Sequence, residues 1–224
     1  MSESEDRDTA RLSAQSLAAG DPTGWFERLY AEAEHGGAFV PWDRGSPNAM
    51  LVEWAAGLTG EGRRAIVVGC GLGRDSEFVA SLGFETTAFD VSPTAIETAR
   101  ARHPESPVHY AVADLLSLPA EWRGGFDLVV ESHNVQSLPP PLHAEASAAV
   151  ASLVVAGGTL LVLAAAGKVK SDDEDRESAE ATADGPPWPL TRPEIDAFAV
   201  DGVSLVSADE VLGDVPRWRA VLRR

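Results

Sequence analysis

Residues 66–90 read IVVGCGLGRDSEFVASLGFETTAFD. The apolar start suits a strand buried on both faces. Gly69, Gly71 and Gly73 follow it within five residues. DSEFVASLG then places Phe78, Val79 and Leu82 at helical spacing, with Gly83 as a C-terminal stop. FETTAFD reads as a second strand ending on Asp90. A strand, a glycine turn and a helix N-terminus make a nucleotide-sized crevice at the carboxyl edge of a parallel sheet. Glycine allows the turn a positive φ and removes the Cβ that would hold a ligand off the backbone.

The spacing separates two ligand classes. Dinucleotide folds use G-x-G-x-x-G, with the pyrophosphate on the helix N-terminus. Here Arg74 stands where the last glycine of that fingerprint belongs, and Asp75 where the pyrophosphate would lie. The turn Gly69-Cys70-Gly71-Leu72-Gly73, with Asp75 beside it, suits a ligand bearing an ammonium or sulfonium. Asp90, at the end of the second strand, is placed to accept both hydroxyls of a ribose. Asp114, in VADLLSLP after a third strand, is placed to accept from an adenine amino group.

Outward from this stretch, strands and helices alternate. SPTAIETARAR offers Ser92 as an N-cap and Pro93 for the first helical turn. VHYAVADLL and FDLVVES read as the third and fourth strands, and TLLVLAA as the fifth. LHAEASAAVASLVVAGG puts Leu142, Ala146, Ala149, Val150 and Leu153 on one helical stripe. TRPEIDAF carries a Thr191/Glu194 capping box ahead of two closing strands. The pattern predicts an α/β fold: a Rossmann-like, doubly wound, mainly parallel seven-stranded sheet with one antiparallel strand. The basic tail RWRAVLRR reads as an edge strand with solvated arginines.

Ahead of the sheet, residues 1–20 read as a mobile arm, with TARLSAQSLAAG able to form a short helix. Residues 21–224 form one domain, whose residues 21–58 supply an N-terminal helical lid and a first helix. In the lid, Trp25, Phe26, Leu29 and Tyr30 share a helical face, and a proline-rich loop holding Trp42 and Asp43 precedes a helix near residues 47–58. Residues 168–187 are acidic and poor in apolar side chains, which predicts a mobile loop.

Through VVGCGLGRD, FD, AD and FDLVVES…GGTLLV the chain resembles the class I methyltransferases dependent on S-adenosylmethionine. Trp25, PWDRGSP and GCGLGRD are more narrowly similar to the thiopurine, thiol and halide methyltransferase group, although ESHNVQSLPP departs from its thiopurine branch. The glycine turn is also similar to that of the tellurite-resistance-type methyltransferases. The resemblance implies S-adenosylmethionine as cofactor and S-adenosylhomocysteine as product. It implies cofactor contacts from Trp42, Gly69, Cys70, Gly71, Gly73, Asp75, Asp90, Val91, Asp114, Leu115 and Glu131. Glu131 and His133, at the carboxyl end of the fourth strand, are the candidates for tuning a small-molecule methyl acceptor. Plain packing is the competing reading of Trp42 and of His133.

Composition narrows the partners. The 224 residues carry a formal net charge of −17, a field that repels nucleic-acid backbones and anionic lipid. The single cysteine excludes an intrachain disulfide and a Cys-based zinc site, and no cluster has metal-ligand spacing. There is no membrane-length apolar run, and the acidic start MSESEDRD is unlike a signal peptide, so a cytoplasmic protein is expected. The sequence leaves the oligomeric state and the acceptor atom open. A cofactor-binding regulatory or partner subunit without turnover remains the alternative, and Arg74 and Asp75 argue against a nucleotide-dependent oxidoreductase.

Overall fold

The apolar runs become strands and the segments of helical spacing become helices across residues 3–168 and 185–224, which the computed structural model describes. In chain order these are α1 (Glu3–Ala18), α2 (Gly24–Glu34), α3 (Ala49–Trp54), β1 (Arg64–Val68), α4 (Arg74–Ser81), β2 (Glu85–Asp90), α5 (Pro93–Arg102) and β3 (His109–Val112). They continue with β4 (Phe126–Ser132), α6 (His143–Ser152), β5 (Val154–Ala165), α7 (Arg192–Asp196), β6 (Ser204–Val211) and β7 (Arg217–Arg223). Ser92 caps α5 by accepting from the Ala95 N–H at 3.0 Å, and Thr191 and Glu194 form the capping box that starts α7. The acidic segment expected to be mobile lies, over residues 169–184, outside the described residues.

The seven strands form one sheet in the order β3-β2-β1-β4-β5-β7-β6. β1 pairs in parallel with β2 and β4, while β7 runs antiparallel to both β5 and β6. The order reverses at β1, so the carboxyl ends of β1, β2 and β4 open onto a switch-point crevice. One face of the sheet buries Ile66, Phe89, Val129, Leu160 and Phe198; the other buries Val67, Ala88, Ile96, Val130 and Leu161. The alternation of neighbouring residues between these two faces follows from the two-residue strand period.

Two expectations are corrected. RWRAVLRR is interior, between β5 and β6, and the edge strand is β6. Trp218, Ala220 and Leu222 are buried in the core, and the alternate arginines occupy the opposite, partly covered face. The expected mobile arm is instead helix α1, docked on α2. Leu12 is buried with Trp25, Leu29, Tyr30, Val40, Leu72 and Ala95 in a third, N-terminal core. The arm's polar composition conceals one buried row of Thr9, Leu12, Ser13 and Ser16, in which both serine hydroxyls donate to backbone carbonyls.

Candidate active site

The glycine turn is held from within the protein. Gly69, Gly71 and Gly73 have φ of 53°, 50° and 89°. A Cβ on Gly69 would collide with the Asn134 carboxamide, and one on Gly73 with the Tyr110 hydroxyl. A Cβ on Gly71 would stand 2.7 Å from the Tyr30 hydroxyl. The space that the missing side chains leave therefore admits three polar side chains of the same chain. Each is tied down elsewhere: Asn134 Nδ2 donates to the Val68 carbonyl at 2.7 Å, and Tyr110 donates to Glu77 at 2.6 Å. Tyr30 accepts from Trp42 Nε1 at 2.6 Å.

Asp90 locks the turn to the end of β2. It accepts from the Gly71 N–H and the Ser92 N–H, both at 2.9 Å. Burial pushes its pKa up to about 6, against the pull of those N–H donors. A carboxylate in that condition gains from further donors, and with the Val91 N–H as a third backbone partner it retains acceptor capacity for one more. Asp90 lines a crevice with Val68, Gly69, Val91, Asp114, Leu115 and Asn134. Phe26, Leu116 and Leu138 add apolar wall, and Asp114 spends one oxygen on the Leu116 N–H at 2.9 Å, leaving the other. A buried carboxylate with an unused acceptor position, an apolar slot and a second acid are groups that an adenosyl moiety could engage.

Of the residues expected at the cofactor, Gly69, Asp90, Val91, Asp114 and Leu115 come together on this crevice. The remainder are arranged around it. Trp42 stacks edge-on to Trp25, Phe26 and Tyr30 above Gly71, while its ring stays 39% exposed. Burial raises the Cys70 thiol well above its usual range, so the sulfur is a neutral packing group. Asp75 turns away and accepts from the Asn48 N–H at 2.7 Å, which pins the start of α3 to the start of α4.

Glu131 is fully buried. Its Oε1 accepts from the Asn134 N–H at 2.7 Å and the Val135 N–H at 3.0 Å, shaping the turn that presents Asn134 to Gly69. Its Oε2 is unpartnered, and burial pushes the carboxyl up to about 7.

His133 follows at a φ of 65°, beside that turn. Gln136 Oε1 already accepts from the Ala165 N–H at 2.6 Å, so His133 Nδ1, 3.3 Å away, is the donor to it. The Nε2 lone pair then faces Asn48 Nδ2 at 3.5 Å. Burial lowers the His133 pKa, and the charges of Arg217 and Arg44 lower it further, so the ring is neutral.

Sequence reasoning missed Glu27, and the partners of Asp43, in holding α2 and the proline-rich loop in place. Glu27 accepts from Ser92 Oγ at 2.5 Å and Thr94 Oγ1 at 2.7 Å, clamping α2 to the first turn of α5. Asp43 bridges Arg74 at 3.2 Å and Arg102 at 2.8 Å. Asn134 was legible only as a polar residue after a strand; its hydrogen-bond partner Val68 lies 66 positions upstream. Among the described residues, no group of three or more His, Cys, Asp or Glu is placed to hold a metal ion, and no helix is long and apolar enough to cross a membrane.

Comparison with known proteins agrees with this geometry. Residues 65–158 match the family described as methyltransferase domain. A ubiquinone biosynthesis O-methyltransferase of Xanthomonas campestris pv. campestris (strain B100) is 36% identical over 131 residues, 54% of each chain. The chain thus spans about half the length of the curated relatives it matches. A structure solved in work on the conversion of a disulfide bond into a thioacetal group during echinomycin biosynthesis superposes with a TM-score of 0.68, at 26% identity over 89% of this chain and 93% of that one. The 1,6-didemethyltoxoflavin-N1-methyltransferase of Burkholderia thailandensis, solved with S-adenosylhomocysteine, gives a TM-score of 0.62 at 15% identity over 100% of this chain and 91% of that one. Residues 65–158 thus match the methyltransferase-domain family, and the chain shares the Rossmann-like α/β fold of these solved methyltransferase structures.

Proposed function

We propose that the protein is an S-adenosylmethionine-dependent methyltransferase acting on a small-molecule acceptor. The observation that carries this is Asp90: a buried carboxylate, cross-linked to the glycine turn, on a crevice whose walls fit an adenosyl group. Asp90 would hold the ribose, Asp114 the adenine amino group, and Phe26, Leu115 and Leu138 the ring faces. When bound, S-adenosylmethionine supplies an electrophilic methyl group on a sulfonium. The protein contributes alignment and a dry site. His133 Nε2 would take the acceptor's proton in place of its contact with Asn48 Nδ2, and the Gln136 hydrogen bond keeps that nitrogen unprotonated.

The acceptor atom is read from several directions. PWDRGSP is similar to the thiol and halide group. The curated relatives act at oxygen, and the structure with a TM-score of 0.68 concerns sulfur. A neutral base beside the turn favours an acceptor that must lose a proton, a phenol or a thiol, over a halide.

Calorimetry with S-adenosylhomocysteine tests the assignment. Asp90→Ala should weaken binding by about 1.5–3 kcal/mol, the value of a hydrogen bond to a charged group. An unchanged affinity would remove the ribose assignment. A cofactor-release screen across thiols, phenols, amines and halides then identifies the acceptor.

A further inference from the structure

Two polar groups over the glycine turn have hydrogen-bonding capacity that the chain itself does not use. The indole N–H of Trp42 can only donate, so the Tyr30 oxygen is the acceptor in their 2.6 Å bond. The phenolic proton of Tyr30 must therefore point elsewhere, and among the described residues no acceptor receives it. Tyr30 is 4% exposed, and a buried donor without an acceptor is costly and seldom kept. The hydroxyl stands in the space of a missing side chain, 2.7 Å from where a Cβ on Gly71 would be.

Asn134 supplies the opposite polarity. The atom of its carboxamide that faces the Val68 and Ser132 carbonyls, at 2.7 Å and 3.1 Å, must be the nitrogen. Its Oδ1 is thereby turned into the space that a Cβ on Gly69 would take, on the wall of the crevice. Among the described residues no N–H or O–H donates to that oxygen. A bare donor and a bare acceptor thus stand over two glycines of one tight turn. In the cofactor, Asp90 and Asp114 account for the ribose hydroxyls and the adenine amino group. The polar part still unmatched is the amino-acid end, whose carboxylate needs a donor and whose ammonium needs an acceptor. A lone anion is disfavoured in a chain of formal net charge −17, whereas a zwitterion brings its own cation.

We infer that Tyr30 and Asn134 read the amino-acid end of the cofactor, the Tyr30 hydroxyl donating to its carboxylate and Asn134 Oδ1 accepting from its ammonium. This rests on the methyltransferase reading and adds to it the residues that distinguish the whole cofactor from its fragments. Tyr30 belongs to α2 and Asn134 follows β4, so the same contacts join the lid to the sheet. Trp42 acts through Tyr30, since its N–H occupies the phenol oxygen and leaves the proton for the ligand.

The test is calorimetric, on the full chain. The probes are S-adenosylhomocysteine, its decarboxylated analogue, and 5′-methylthioadenosine, which lacks the amino-acid end. The parent should bind S-adenosylhomocysteine about ten-fold or more tighter than the decarboxylated analogue, and 5′-methylthioadenosine more weakly again. Tyr30→Phe should cost S-adenosylhomocysteine about ten-fold and leave the other two affinities unchanged. Tyr110→Phe removes a hydroxyl that already donates to Glu77, over Gly73, and should leave the preference for the carboxylate intact. Asn134→Ala should shrink the preference for the decarboxylated analogue over 5′-methylthioadenosine, and it decides the matter with the parent ratios if Tyr30→Phe does not fold. The inference is overturned if the parent binds S-adenosylhomocysteine and its decarboxylated analogue alike. It is equally overturned if Tyr30→Phe changes no affinity or weakens all three alike, or if Asn134→Ala keeps the parent's preference. In each of those cases binding of 5′-methylthioadenosine leaves the adenosyl crevice, and with it the methyltransferase reading, standing. If neither S-adenosylhomocysteine nor 5′-methylthioadenosine binds the parent, both fall.

Discussion

Gly69 and Glu131 show at the residue scale how the site is built from inside. Replacing Gly69 by Ala forces a side chain onto a φ of 53° and into the Asn134 carboxamide. The expected cost is about 1–3 kcal/mol, read as a lower urea midpoint at unchanged slope. Adding Asn134→Gly should recover part of it by removing the collision; strict additivity of the two changes would show that they are uncoupled. Glu131 predicts a pH effect. Its folded pKa, about 7, lies above its ordinary value of 4.5 because burial disfavours the charge. The folded state therefore holds this proton more tightly than the unfolded state. Stability is lost as pH rises from about 4.5 to 7, by on the order of 3 kcal/mol for this group. Glu131→Gln keeps an acceptor for the Asn134 and Val135 N–H groups and cannot ionise. It should stabilise the protein progressively more at pH 7.5 than at pH 5, a difference that equal melting shifts at the two pH values would exclude.

Elements are joined by polar clamps as much as by apolar faces. Glu27 sits on α2 yet takes its hydrogen bonds from the first turn of α5, and those bonds lower its pKa against the opposing effect of burial. Glu27→Gln removes the charge from this clamp and should cost about 1–2 kcal/mol of stability. It should also weaken S-adenosylhomocysteine binding, since α2 carries Phe26 into the crevice wall. Intact affinity would separate the clamp from the site. The same scale explains the misplacement of β7. Arginines at alternate positions look like an edge facing water, but α3 has six residues and covers that face only partly. Arg219 pairs there with Glu53 and Asp209, so the strand can be interior and still carry charge.

Across the whole molecule, the N-terminal core of Leu12, Trp25, Leu29 and Tyr30 is separate from the two cores that sandwich the sheet. A separate core opens without unfolding the rest. Amides of α2 should therefore exchange faster than those of β1, β4 and β5, and S-adenosylhomocysteine should slow them, because Thr23 and Phe26 line the crevice. Exchange of α2 at the rate of the sheet, with and without ligand, would mean one cooperative unit. By itself the sequence determined the parallel sheet, the turn at Gly69–Gly73 and the acids at the ends of β2 and β3, because strand period, glycine spacing and capping are local rules. Only the tertiary structure decided what fills the space over each glycine, which strand is interior, and that Glu131 faces inward while His133 stays neutral. Those outcomes depend on contacts between residues tens to more than a hundred positions apart, and on burial, which shifts a carboxyl or an imidazole only once the chain has closed around it.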